Sequence, residues 1–395
     1  MHPKLKLCSF IIFLHLPASC DTLANASQLK KNWQFEYFLH CGKAIKNYRR
    51  MPDNLSPAWL NELKIGIVAN GDKYWHHLYN FPQVSVSFYH GSLGSEKVLG
   101  QNFAIIPGVT FNTWKNRPWQ VHTSIGAGLA YFSKPFDQET NFDNRAIGSS
   151  VTAMATAGLY VDYNLARHMD FMLGASVIHC SNGHYQVPNY GLNLPSVMLG
   201  LRYRPNKVYC FVGQKPDYLP RGPLKYNIRA GLGAHEFAGT DIPTVEAKWA
   251  VYTADFYVSK RYGPVSNVHC GLAVKYYNGF YNKIKQDELY LKNQHLKAGV
   301  LTLFLAYELM IHKFSLVAQA GIDVYNPFYH HWFALTHSGK NISYFLESVT
   351  STRVGVQYYL FDPKMNASNN VFIGTYVKAN FGTADFVGIN TGLVF

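Results

Sequence analysis

Gln83-Val84-Ser85-Val86-Ser87-Phe88 alternates without a break: Val84, Val86 and Phe88 are apolar, while Gln83, Ser85 and Ser87 are small or polar. Successive side chains of an extended strand point to opposite faces, so this stretch has one greasy face and one polar face. The pattern recurs with Val121, Ile125, Ala127 and Leu129 set against Gln120, His122, Ser124, Gly126 and Gly128. It returns from Val151 to Tyr163, and again where Val197, Leu199, Leu201 and Tyr203 alternate with Ser196, Gly200 and Arg202. Soluble strands average about six residues, whereas these runs extend over about 10 to 14, the length of a tilted membrane strand. The intervening face, rich in Gly, Ser and Thr, suits the inside of a barrel, and the apolar face suits lipid. At the chain end Val387, Ile389, Thr391, Leu393 and Phe395 share a face that stops at an aromatic residue, as in the closing strand of bacterial outer-membrane barrels.

Composition agrees. Of 395 residues only 15% are charged and 15% are aromatic, with 28 Tyr and 31 Gly, and almost no sustained helical periodicity interrupts the strands. Residues 1–20 read as a secretory signal: Lys4 and Lys6 precede the apolar run Phe10 to Leu14, and the small residues Ala18, Ser19 and Cys20 follow. Cleavage after Cys20 fits, and Pro17 weakens a lipoprotein reading of Cys20. Cys8 and Cys20 then leave with the signal, and Cys41, Cys180, Cys210 and Cys270 remain without metal-type spacing, so neither a metal nor another cofactor is expected. The net charge of +13 calls for an anionic partner. Nucleic acid does not suit an exported chain, and phosphate-bearing lipid head groups do. Lys43, Lys46, Arg49 and Arg50, in one loop, are candidate contacts, against the plainer reading of a solvated basic loop.

Short turns at Leu165 to His168, Arg261 to Pro264 and Ile311 to Lys313 alternate with long polar loops at Ser133 to Gly148, Asn278 to Gln294 and Asn326 to Ser343. Outer-membrane barrels have short periplasmic turns and long outer loops, which orients the chain. Counting from Phe35 to Gly42 gives about eight strands up to Tyr203 and about eight more from Tyr226, so the expected fold is an all-β, transmembrane antiparallel β-barrel of about 16 strands. The domains are then a first half at 33–205, a connector at 206–224 and a second half at 225–395. Gly174 to Asn182 lines up with Gly374 to Gly382, as in a degenerate internal repeat, with His179 facing Ala379 and Ser181 facing Phe381. The halves can close as two barrels or merge into one. A merged barrel needs a single closure and is the expectation, although the prolines between Pro205 and Leu224 also suit a linker.

One segment departs from the strand pattern: His179-Cys180-Ser181-Asn182-Gly183, then Pro188-Asn189-Tyr190-Gly191, then Asn193. Counting by twos from Phe171, Leu173, Ala175 and Val177 places His179 and Ser181 on the lipid-facing side and turns Cys180 inward. Residues two apart on a strand lie roughly 6.6 Å apart at the backbone, so the two side chains are neighbours. Serine is a weak nucleophile at neutral pH, and an adjacent imidazole removes its proton during attack on an ester carbonyl. Asn193, across the loop on the next strand, can hold the imidazole in the required tautomer. A seventh strand counted from a periplasmic start ends at the outer surface, where a polar pair facing lipid is costly unless it serves the lipid.

The segment resembles the outer-membrane lipid A 3-O-deacylases of the PagL type and the related acyloxyacyl hydrolases. These are eight-stranded barrels with a His-x-Ser-Asn motif on the outer wall followed by a Pro-Asn-x-Gly loop, and the likeness runs over roughly residues 33 to 205. It implies that Ser181 is the nucleophile and His179 the base, that Asn182 and a neighbouring amide such as that of Gly183 stabilise the oxyanion, and that an acyl-enzyme forms without metal. Lipid A or lipopolysaccharide is the implied partner, and the outer membrane of a Gram-negative bacterium the implied location, with the site facing the outer leaflet. Asn193 stands where that family keeps a glutamate. Outer-membrane phospholipase A, a calcium-dependent single barrel, pairs its His-x-Ser-Asn-Gly motif with an asparagine, which makes outer-membrane phospholipid the alternative substrate. A catalytically idle porin-like or structural barrel is the non-enzymatic alternative. His184 and Tyr185, in the same loop, are read as girdle residues or substrate contacts.

Overall fold

The structure, a computed structural model, describes residues 32–71, 73–116, 119–206, 222–236, 248–336, 342–363 and 369–395. The signal read at 1–20, with Cys8 and Cys20, lies outside these residues, as do Cys210 and most of the stretch from Pro205 to Leu224. The first half holds β1 (Asn32–Gly42), β2 (Ala58–Val68), the short helix α1 (Tyr74–Leu78), β3 (Gln83–Ser92) and β4 (Gln101–Asn116). It continues through β5 (Trp119–Phe132), β6 (Val151–Ala166), β7 (Met169–Ser181) and β8 (Leu192–Tyr203). β8 then pairs back onto β1, from Phe35 with Tyr203 to Gly42 with Ser196, and the sheet closes.

The second half repeats the meander with β9 (Leu224–Glu236), β10 (Lys248–Arg261), β11 (Ser266–Tyr277) and β12 (Gly299–Ile311). After β13 (Phe314–Tyr325), β14 (Thr350–Tyr359), β15 (Asn370–Asn380) and β16 (Thr383–Val394), it closes where β16 pairs with β9 from Val387 with Ala234 to Val394 with Asn227. There are therefore two closed eight-stranded antiparallel barrels, and the merged sixteen-stranded barrel expected from economy of closure is not formed. Closure satisfies the edge strands of each half within that half, so no edge is left to recruit the other sheet.

The outward faces keep the alternation read from the sequence: along β7, Phe171, Leu173 and Val177 are exposed while Met172, Ile178 and Cys180 are buried. Inside, an eight-stranded barrel has room for little more than side chains. The first lumen packs Phe38, Tyr160, Met172 and Met198 beside a charge network in which Arg202 donates to Glu36 at 2.6 Å and His122 meets Asp162 at 2.9 Å. The second sets Arg229 on Asp255 at 2.5 Å and Lys378 on Asp385 at 2.7 Å. Ionised groups are tolerated out of water when paired in this way.

One end of each barrel carries the longer connections. In the second barrel these hold α2 (Asn278–Gln286) and α3 (Gln294–Lys297), then α4 (Pro327–Thr336) and α5 (Ile342–Val349), where the sequence reading expected polar loops. Phe280 of α2 stacks on Tyr277 at 4.3 Å and meets Phe328 of α4 at 4.8 Å, which anchors this helical cap. Helices of nine and ten residues are too short to build a visible 3.6-residue period. Among the described residues no helix is long and apolar enough to cross a membrane, so strands make any crossing.

Candidate active site

β7 brings His179 and Ser181 to its long-loop end on the outward face, with Cys180 buried in the lumen between them. Across the hairpin His179 is directly paired with Asn193 of β8, which is why the asparagine side chain reaches it. Asn193 Oδ1 lies 2.7 Å from His179 Nδ1 and accepts from it when that nitrogen carries the proton. The opposite ring nitrogen, Nε2, is then the one with a free lone pair. Ser181 Oγ accepts two hydrogen bonds, from Asn189 Nδ2 at 2.9 Å and from the Gly183 N–H at 3.2 Å. In this arrangement Oγ is held by its donors rather than by the imidazole.

The loop from Asn182 to Gly191 is built around Asn189, which is buried and uses both ends of its amide. Its Oδ1 accepts from the Asn182 N–H at 3.1 Å while its Nδ2 reaches Ser181. The Asn182 side chain is occupied elsewhere: its Nδ2 donates to Gln186 O at 2.7 Å and to Ser149 Oγ at 3.2 Å, and its Oδ1 accepts from His184 N at 3.0 Å. Asn182 therefore staples the loop, and the Gly183 N–H is the backbone donor left beside Ser181. Gly183 and Gly191 have φ of 66° and 73°, the left-handed region where glycine is favoured. At Gly191 a Cβ would also lie 3.3 Å from the His179 ring and 3.8 Å from Ser181 Cβ, so the absent side chain leaves room beside both of them.

The basic loop between β1 and β2 supports this arrangement from the side. Asn47 Nδ2 donates to both Tyr190 O and Gly191 O at 2.9 Å, and Ile45 N donates to Asn193 O at 2.9 Å. Tyr48 stacks on Tyr190 at 5.3 Å and donates its hydroxyl to Asp143 O at 2.9 Å. Burial pushes the Tyr48 phenol up to about 12, so it stays protonated and remains a donor. From the opposite side Tyr190 N and Gly191 N donate to Arg145 O and Ala146 O, both at 3.0 Å. Of the four predicted lipid contacts, Lys43 and Arg49 are exposed, Lys46 pairs with Asp53, and Arg50 lies over the Phe142 ring at 4.9 Å, which Arg145 also covers. The sequence reading singled out the Pro188 to Gly191 loop but gave no role to Asn189, and it missed Asn47. The only signal was the Pro-Asn-x-Gly pattern itself.

Beside the pair the wall is low. Ala155 is paired with His179, Ala153 with Ser181, Ala157 with Val177 and Ala127 with Ala155. These four small side chains are exposed, as are the larger Leu129, Val151 and Leu159 on the same two strands.

Two closed barrels with greasy outer walls and charge-filled lumens define an outer-membrane β-barrel protein. Residues 63–202 match the family described as Lipid A 3-O-deacylase (PagL), and residues 224–395 match the acyloxyacyl hydrolase, C-terminal domain. Together they span most of the chain, which belongs to the lipid A deacylase and acyloxyacyl hydrolase family of outer-membrane hydrolases acting on lipid A acyl esters. Neisserial surface protein A is similar in structure at 11% identity over 44% of this chain and 96% of its own, with a TM-score of 0.30. The outer-membrane protein OpdK of Pseudomonas aeruginosa is similar at 8% identity over 93% of this chain and 98% of its own, with a TM-score of 0.21. No curated protein matches the sequence.

Proposed function

We propose that the chain is a serine esterase that removes an ester-linked acyl chain from lipid A at the outer leaflet, with Ser181 as nucleophile, His179 as base and Asn193 as the group that orients it. The observation that carries this reading is the 2.7 Å bond from His179 to Asn193 beside a Ser181 Oγ that already has two donors, all on a lipid-facing wall. Ser181 Oγ attacks the ester carbonyl carbon while His179 Nε2 takes its proton. The Gly183 N–H and Asn189 Nδ2, displaced from Oγ, donate to the oxyanion of the tetrahedral intermediate. As the intermediate collapses, the imidazolium protonates the alcohol oxygen that leaves, and an acyl-enzyme remains. Water, deprotonated by the same imidazole, then releases the fatty acid and restores Ser181.

Asn193 is neutral, so it fixes the tautomer but adds no charge to stabilise the imidazolium. That feature favours the phospholipase alternative, in which an asparagine serves as the third member, whereas the Pro188 to Gly191 loop favours lipid A. Lys43 and Arg49, exposed on the loop that supports the site, suit the lipid phosphates. A porin-like role fits poorly with lumens filled by paired charges and rings. The test is fatty-acid release from lipid A and from phospholipid by purified protein in detergent. Release from lipid A that disappears in Ser181→Ala is expected, and release from phospholipid alone would replace this reading with the phospholipase one.

A further inference from the structure

Among its described residues the second barrel carries no counterpart of the His179 and Ser181 pair, yet it reaches the loop beside that pair. Along β9 the outward positions Tyr226, Ile228 and Leu232 are open, and by the same alternation Glu236 faces outward; it is nevertheless only 3% exposed. What covers it is the loop from Asn182 to Gly191. Glu236 Oε2 accepts from Val187 N at 2.8 Å, and Glu236 N donates to His184 O at 3.2 Å, so one residue of the second barrel brackets 184–187. Its cross-strand partner on β10, Lys248, sets its ammonium 4.1 Å over the Tyr185 ring. On the same wall Val377 and Val387, paired on β15 and β16, lie against Gly183, where a Cβ would come within 3.2 Å of Val387. The same two strands leave Ile373 and Ile389 open.

The loop is thus held from two sides. The first barrel fixes Tyr190 and Gly191 through Arg145, Ala146 and Asn47, and the second fixes 183–187. Asn189 sits between these anchors and presents its amide to Ser181. We infer that the second barrel is a positioning element for the esterase site, acting through Glu236 on Val187 and thereby on Asn189 and Gly183, the two groups that hold Ser181 Oγ. A carboxylate on the outward wall of a membrane barrel is costly unless a partner satisfies it, and the backbone of the loop is that partner here. Tyr185 and His184, read from the sequence as girdle or substrate residues, both meet the second barrel. At the opposite end of the barrels Tyr79 donates to Met310 O at 3.0 Å and Trp75 stacks on His312, so the contact is anchored at both ends.

This inference rests on Ser181 being a nucleophile, and its test separates the two claims. The full chain and its Glu236→Gln and Glu236→Ala variants are refolded in detergent and checked for heat-modifiable migration. Two rates are then measured: labelling of Ser181 by a fluorophosphonate, and fatty-acid release from lipid A. Glu236→Ala should slow both by roughly tenfold, the order of loss when a charged partner of a buried N–H is removed, through kcat rather than KM. Glu236→Gln keeps an acceptor oxygen and should stay within about twofold. Folded Glu236→Ala labelling at the wild-type rate would overturn the inference, as would equal losses in the two variants. If Glu236→Ala does not fold, Lys248→Ala, which removes the contact on Tyr185, should show a smaller loss of about threefold, and no loss would count against the inference. Labelling without release from lipid A would remove the substrate reading and leave the positioning role intact. Wild type that neither labels nor hydrolyses would remove both.

Discussion

The end of β7 and β8 in the first barrel and the end of β15 and β16 in the second are corresponding hairpins that finish in different ways. In the first, His179 is paired with Asn193 and the strands are joined by the loop from Asn182 to Gly191. In the second, Ala379 is paired with Ala384, and only Phe381 and Gly382, both at positive φ, make the turn. The framework is common to both, and the difference lies in what the longer loop brings back over the strand. Asn189 and Gly183 come from the loop, and without them a histidine and a serine on a strand would be two exposed side chains. The short turn of the second hairpin leaves a flat wall of Val377 and Val387 against which that loop rests.

If the loop and the pair act together, the largest losses fall on the pair itself. Ser181→Ala or His179→Ala should reduce fatty-acid release by at least about 10³-fold, the loss seen when a nucleophile or its base is removed. Asn189→Ala should cost roughly 10²-fold in kcat, because one oxyanion donor is lost and the Asn182 N–H loses its acceptor. Gly191→Ala places a methyl group against the His179 ring at a φ unsuited to it. A loss of roughly tenfold in kcat is expected, with folding retained by heat-modifiable migration. Asn193→Asp adds the charge that the pair lacks and should raise kcat by a few-fold, about 1 kcal/mol of imidazolium stabilisation near a partly exposed pair. The smallest effect is the most pointed: Ala379→His combined with Phe381→Ser copies the pair onto the second hairpin and should add no hydrolysis to a Ser181→Ala background. Any gain there would show that the loop is dispensable.

The barrel character was legible in the sequence because alternation at Val84 to Phe88 or Val197 to Tyr203 is a local signal, set by the two-residue period of a strand. Which strands close on which is not local. The pairing of Phe35 with Tyr203 and that of Val387 with Ala234 join residues far apart in the chain, and the same alternation would satisfy one large barrel. His179, Ser181 and Asn193 were legible since strand periodicity alone puts the first two on one face and a hairpin brings the third opposite. Asn182 was assigned to the oxyanion by resemblance, whereas its amide is taken up by Gln186, Ser149 and His184, contacts that exist only once the loop has its shape. For the same reason Asn189 and Asn47 carried no signal beyond their residue type. Glu236 carried no signal of its own, because nothing in its sequence neighbourhood announces the loop from the other barrel that meets it.

Esterase action is read out in the mass spectrum of lipid A after incubation with the full chain and with Ser181→Ala, both in detergent. Loss of the mass of one ester-linked acyl chain with the full chain, and an unchanged spectrum with Ser181→Ala, is the predicted result. Identical spectra for the two proteins, whether both lose an acyl chain or neither does, would contradict it.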